Sequence, residues 1–159
     1  MIIKIGVKTL SPQVVAYKEL QEGDDEAAVF ASLNAEVNSK GADPSDPTMI
    51  VFYDPKGSMN CRREVMVAIN KEAPGLKIKK LPQITAGFIV YSDTKYQVEY
   101  YYAQLEQYLK ERGLKTATNE INSIEAFYQP YQYDLGIGSY IDEDAQEIWV
   151  LEIIIPVEN

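Results

Sequence analysis

The chain has no histidine and one cysteine among its 159 residues. Without an imidazole there is no Ser-His-Asp or Cys-His catalysis, no His-ligated zinc and no ordinary proton shuttle near neutral pH. Cys61 alone can form neither an intrachain disulfide nor a cysteine-cluster metal site, so no metal and no cofactor is expected. Positive charge is sparse: 15 Lys and Arg stand against 24 Asp and Glu, a net charge of −9. The short basic clusters Lys77-Lys79-Lys80 and Arg62-Arg63 do not make the basic face that a phosphate backbone needs, and no direct nucleic-acid binding is expected. Long apolar runs are missing as well. No stretch of about 18 apolar residues exists to span a membrane, and the opening Met-Ile-Ile-Lys-Ile-Gly is too short and mixed for a signal peptide. The expectation is a cytoplasmic protein without a membrane partner. Gly136-Ile137-Gly138 lacks the third glycine and the βαβ surroundings of a dinucleotide fingerprint.

What is present is a core-forming composition, 46% hydrophobic with 12 tyrosines, enough for one ordinary domain or two small modules sharing a core. The stretch from Glu147 to Val157 is apolar on both parities apart from two glutamates and a proline, as expected of a strand covered on both faces. Alternation puts Glu152 on one face with Ile148, Val150 and Ile154, and Trp149, Leu151, Ile153 and Ile155 on the other. A carboxylate in such a row is costly to bury without compensation. It sits at a wet edge, has an internal partner, or receives a cationic ligand.

The rest of the chain reads as two rounds of one pattern. Met1 to Val7 is a short strand or lead-in, and Gln13 to Leu20 is a strand. A helix follows Asp24-Asp25-Glu26, with Phe30, Leu33 and Val37 on its apolar stripe and Gly41 at its end. Residues 42–48 form a loop, Met49 to Tyr53 a strand, Asp54-Pro55-Lys56-Gly57 a turn, and Arg62 to Ile69 the partner strand. Glu72 to Pro82 is a connector. Then come a strand from Ile84 to Tyr91, a helix over about Lys95 to Arg112 with Val98, Tyr102, Leu105 and Leu109 as its buried stripe, a strand from Ile124 to Tyr131, a long loop and the closing strand. Phe30, Leu33, Val37 and Gly41 match Tyr102, Leu105, Leu109 and Gly113 at an offset of 72. Phe52-Tyr53-Asp54-Pro55 matches Phe127-Tyr128-Gln129-Pro130 at 75, Tyr17 matches Tyr91 at 74, and Glu64-Val65-Met66-Val67 matches Glu152-Ile153-Ile154-Ile155 at 88. Such self-similarity indicates an internal duplication. The fold class expected is α+β: a tandem strand-helix-strand-strand module, residues 1–75 and 82–159, forming one antiparallel sheet with two helices on one face and a ligand cleft on the other.

The strand near Val14, the helix closed by Gly41, Phe52-Tyr53-Asp54-Pro55 and Glu64-Val65-Met66-Val67 resemble the first module of the GyrI-like family. Phe127-Tyr128-Gln129-Pro130-Tyr131 and the closing Leu151-Glu152-Ile153-Ile154-Ile155-Pro156-Val157 resemble its second. The resemblance implies a single effector-binding domain of the kind found in bacterial multidrug-sensing transcription activators, here in stand-alone form without the DNA-binding region. It implies a cleft for aromatic, amphipathic cations held by rings and a buried glutamate, which Glu152 matches.

The candidate ligand-binding residues are therefore Glu152, Tyr53, Tyr91, Tyr128 and Tyr140, the last in the long loop with Tyr133. Ring faces attract cations at roughly 0.5 to 2 kcal/mol per contact. Strand tyrosines are as readily core residues, and both readings stay open for each. Glu64, the counterpart of Glu152, is expected to be solvated or paired, given its neighbours Arg62 and Arg63. Two other functions remain. One is a hydrolase of small electrophilic, cyclopropanoid natural products using Glu152, as some relatives in the family imply. The other is a protein-interaction or gyrase-inhibitor-like role, with a protein partner or a homodimer, which would show as an exposed apolar patch.

Overall fold

Period-two apolar patterning and two helical stripes build the elements of the computed structural model, which describes residues 2–92, 96–117, 120–128 and 150–158. In chain order they are β1 (Ile2–Leu10), β2 (Gln13–Leu20), α1 (Glu26–Ser39), β3 (Pro44–Phe52), β4 (Arg63–Ile69), β5 (Ile78–Leu81), β6 (Ile84–Tyr91), α2 (Val98–Glu111), β7 (Ser123–Tyr128) and β8 (Val150–Pro156). Helix α1 starts where the Asp25 carboxylate accepts the backbone N–H groups of Ala27 and Ala28, satisfying donors that the first turn leaves open. It ends before Gly41, whose φ of 69° suits the left-handed residue after a helix.

All strands pair antiparallel in one sheet of order β1-β6-β8-β7-β3-β4-β2-β5. Neighbouring residues across the strands share a face. One row runs Lys18, Val65, Ile50, Glu125, Ile153, Ile89 and Ile5. Leu33 and Val37 of α1 pack at one end of that face, and Leu105 and Leu109 of α2 at the other, so both helices cover the same side. The opposite side carries a third apolar cluster that includes Val15, Met49, Val51, Met66, Phe88, Val90, Ile124 and Ile154. Glu64 and Glu152 belong to this helix-free face by parity. The expected α+β class and the two-helix layering hold.

Three local expectations change. The connector from Glu72 to Pro82 contains a strand, β5, which pairs with β2. The residues before Met49 belong to β3, because the ladder slips between Ser45 and Thr48 and the irregularity accommodates Pro47, which has no N–H to give. On α2 the buried stripe is Tyr101, Leu105 and Leu109 rather than Tyr102, Leu105 and Leu109. The i, i+4, i+8 positions start at Tyr101, whose ring stacks on Tyr91 at 3.7 Å, while Tyr102 turns aside to donate to Glu125.

The pairing is consistent with an internal duplication and sharpens it. Glu64 sits between Val51 and Glu19, and Glu152 between Ala126 and Val90. The equivalence of the two glutamates therefore sets β3 against β7 at an offset of 75, as the sequence has it. It sets β2 against β6 at 71, so that Tyr17 corresponds to Phe88 and not to Tyr91. Lys79 lies opposite Val15, and Lys8 opposite Ala86, the residue equivalent to Val15. Strands β5 and β1 are thus equivalents too: β1 pairs with β6, and β5 with β2. The pseudo-two-fold passes through the Ile50↔Glu125 pair, which the exchange maps onto itself.

Candidate functional site

On the helix-free face β8 places Glu152 between Val90 and Ala126, with 1% of its surface exposed. An ionised carboxylate cannot stay there unless its oxygens are satisfied, and both are. Lys8 Nζ, from edge strand β1, donates to Oε2 at 2.5 Å, and the Tyr128 hydroxyl, from the end of β7, donates to Oε1 at 3.0 Å. Lys8 is itself held 4.5 Å from the centroid of the Phe88 ring and keeps 30% of its side chain in contact with solvent. Of the three settings open to Glu152 from the sequence, the structure shows the internal partner.

The other half repeats the arrangement. Glu64, 7% exposed, accepts from the Tyr53 hydroxyl and from Lys79 Nζ at 2.7 Å. Lys79 lies 4.2 Å from the Tyr17 ring centroid and 5.5 Å from that of Tyr53. Burial first, then the hydrogen bond to Glu64, push the Tyr53 hydroxyl well above the usual tyrosine range. The expectation for Glu64 was solvated or paired: it is paired, but with Lys79. The flanking arginines go elsewhere, Arg62 to Asp54 and Arg63 to Glu26. Glu64 and Glu152 are separated by β3 and β7, three strand spacings or about 14 Å of sheet.

Of the five candidate ligand residues, the structure brings Glu152 and Tyr128 together and gives Tyr53 the equivalent place beside Glu64. Tyr91 does not join them. It follows Val90, the partner of Glu152, so its side chain points to the helix side, where it is 5% exposed. Burial, then the Glu125 charge, raise its hydroxyl above the ordinary value. Tyr140, Tyr133 and Trp149 lie outside the described residues. The sequence reading missed Lys8 and Lys79. Their signal was Lys8-Thr9-Leu10 against Lys79-Lys80-Leu81 at the same offset of 71.

Two spaces adjoin these clusters. On the helix-free face a recess of about 70 Å³ lies at the pseudo-axis, lined among the described residues by Tyr128, Met49, Ile124, Ile154, Leu10 and Leu81. A far larger cavity, about 1460 Å³, opens between the helices and wraps round the end of the β3–β4 hairpin to Tyr53, Glu64 and Lys79. On its helix side Glu125 accepts from Tyr102 at 2.8 Å and from Lys56 at 2.9 Å. Lys56 lies 5.5 Å from the Phe52 centroid and 5.5 Å from that of Tyr102. No group of His, Cys, Asp and Glu that could hold a metal occurs among the described residues, and none of their helices is long and apolar enough to cross a membrane.

The eight-stranded antiparallel sheet, with paired helices on one side and Glu64 and Glu152 on the other, is a fold shared with solved structures, the C-terminal domain of EcmrR among them. Comparison with family models and with curated proteins finds no match; solved structures do match. In the EcmrR–DNA complex, the EcmrR chain superposes with a TM-score of 0.71 at 18% identity, over 98% of this chain and 57% of that one. This chain thus spans little more than half of EcmrR. The isolated C-terminal domain of EcmrR gives 0.64 at 18% identity, over 98% of both chains. A hydrolase from Listeria innocua gives 0.62 at 9%, over 98% of this chain and 92% of that one. SAV2435 bound to tetraphenylphosphonium gives 0.50 at 11%, over 98% and 94%. These likenesses are of fold.

Proposed function

We propose that this domain binds a small organic cation with aromatic surface on the helix-free face, with Glu152 as the counter-charge and Tyr128 and Phe88 as polar and ring contacts. The observation that carries the reading is the Lys8–Glu152 pair. A nearly fully buried carboxylate is neutralised there by a lysine that stays partly in solvent and rests on an aromatic ring. That is a cation site with a tethered occupant, and Lys8 can leave to water where Glu152 cannot. An entering cation takes over the charge pairing in a low-dielectric setting, where it is strongest, and gains the ring face. The recess at the pseudo-axis is smaller than the few hundred Å³ a drug-sized ligand fills, so binding also requires that Lys8 and the neighbouring side chains move aside. The tetraphenylphosphonium complex of SAV2435, a protein of the same fold, supports the ligand class. The small-molecule role and cytoplasmic location belong to the same proposal.

The hydrolase alternative has a fold neighbour in the Listeria innocua hydrolase, but the geometry of Glu152 does not favour it. Both oxygens of Glu152 already accept from Lys8 and Tyr128, an arrangement that pairs its charge. The test is a thermal-shift titration with tetraphenylphosphonium on the wild type, Glu152→Gln and Lys8→Met. Ligand linkage raises the midpoint of the wild type. The rise is lost in Glu152→Gln and is larger in Lys8→Met, where the competing ammonium is gone. Equal rises in all three proteins would refute the assignment, and consumption of ligand in the same mixtures would favour the enzyme.

A further inference from the structure

The large cavity between the helices carries chemistry that this reading does not use. Two of its wall carboxylates, Glu64 and Glu125, are built alike. Each accepts a tyrosine hydroxyl, Tyr53 for one and Tyr102 for the other. Each is capped by a lysine, Lys79 or Lys56, that lies against two aromatic rings. Both lysines are about one-third exposed, at 32% and 33%, and their carboxylates are mostly covered, at 9% and 12%. The chain has thus placed its own alkylammonium groups in two ring-and-carboxylate cages that open on one cavity. Around them the field is acidic. Eight glutamates line the cavity among the described residues, against four lysines and arginines. Five of them, Glu19, Glu22, Glu99, Glu106 and Glu120, make no ion pair with a described residue.

We infer that this cavity is a second binding site, for an aliphatic oligoamine whose ammonium groups replace Lys79 at Glu64 and Lys56 at Glu125. The ligand class follows from the occupants. A primary ammonium on a flexible alkyl stem satisfies each cage now, so a ligand ammonium reproduces the same hydrogen bonds and ring contacts. Two cages on one cavity select for more than one charge, because a second ammonium binds at the effective concentration set by the first. These five glutamates concentrate polycations at the mouth. An oligoamine is also slender enough to follow a space that turns round the hairpin end. The site is separate from Glu152, which is not among the residues that line this cavity.

The experiment is isothermal titration with spermidine at near-physiological salt, on folded wild type and single variants checked by circular dichroism. In Glu64→Gln and Glu125→Gln the affinity falls about tenfold or more, the cost of losing a charge-assisted hydrogen bond. Lys79→Met and Lys56→Met bind more tightly than wild type, a gain that misfolding cannot mimic. Glu22→Gln removes the same charge from the rim without touching a cage and changes affinity less than twofold, and Glu152→Gln leaves spermidine binding unchanged. The inference is overturned if Glu22→Gln weakens binding as much as Glu64→Gln and Glu125→Gln, which would mean that the acidic field alone attracts the amine. It is also overturned if the two lysine variants show no gain, or if Glu152→Gln alone abolishes binding. Since tetraphenylphosphonium reports the Glu152 site and spermidine this one, each assignment stands or fails by itself.

Discussion

Replacing Lys8 by methionine should destabilise the fold more than replacing Glu152 by glutamine, although the two residues share one ion pair. The glutamate is 1% exposed and its carboxylate cannot turn to water, whereas 30% of the Lys8 side chain is in solvent. Lys8→Met leaves a buried charge with the Tyr128 hydroxyl as its remaining neutral donor. Breaking a buried pair from this side costs about 3–5 kcal/mol, and the solvent already at Lys8 screens part of it, leaving about 2–3 kcal/mol. In Glu152→Gln the amide still accepts from Tyr128, and the released lysine swings out, so the loss is about 1 kcal/mol. The double variant should lie near Glu152→Gln, giving a coupling of about 2 kcal/mol in the cycle. The assay is urea unfolding at neutral pH, with stability taken from the midpoint and the slope required to stay constant across the four proteins. If Glu152→Gln proved the costlier change, or if the two effects simply added, the argument from unequal burial would be wrong. The Lys8 contact would then be no more than a surface pair.

Two further outcomes follow from the packing. Gly87 on β6 faces α2 so closely that an added Cβ would stand 2.6 Å from Leu109 Cδ2. Gly87→Ala therefore forces Leu109 to another rotamer and should cost about 1–3 kcal/mol, read as a lower thermal midpoint. Alkaline pH should also weaken the fold. Tyr53, Tyr91 and Tyr102 all have hydroxyls raised above the ordinary value of 10.0, in each case by burial first. The unfolded chain then loses protons that the native state retains, so their stabilisation is complete below about pH 10 and drains away above it. Each contributes a slope approaching about 1.4 kcal/mol per pH unit. Urea midpoints from pH 9 to 11 measure it, and a flat profile would contradict the burial of these hydroxyls.

Much of this was legible in the sequence, and the parts that were not have a common cause. Strands with a strong two-sided pattern, such as Ile84 to Tyr91, and helices with stops at Gly41 and Gly113 announced themselves. So did the face on which Glu152 lies, because parity within one strand is a local property, although its burial was one of three settings left open. What the sequence reading missed depended on partners far along the chain. β5 is four residues long with two adjacent lysines at its centre and no alternation, and only pairing with β2 makes it a strand. Lys8 is 144 positions from Glu152, and nothing near either residue indicates the other. The shift of the α2 stripe from Tyr102 to Tyr101 turns on the fit of one ring against Tyr91, a matter of packing. An internal partner was among the settings open to Glu152, but which lysine supplies it depends on the pairing of β1 with β6.

The edge strands give that supply its logic. β1 belongs by sequence to the first module and pairs with β6 of the second; β5 lies in the connector, at the place equivalent to β1 under the pseudo-symmetry, and pairs with β2 of the first. Each carries the lysine that caps the glutamate of the module it pairs with, Lys8 for Glu152 and Lys79 for Glu64. The sheet edges and the two carboxylates are thereby coupled. Pulling either lysine from its cage loosens an outermost strand, where ladder bonds are made on one side only and local opening is least costly. The Tyr–Glu bonds on the inner strands can meanwhile stay in place. On the reading proposed above, a cation that replaced Lys8 or Lys79 would release an edge strand from its ion pair while β3 and β7 at the centre kept their pairing.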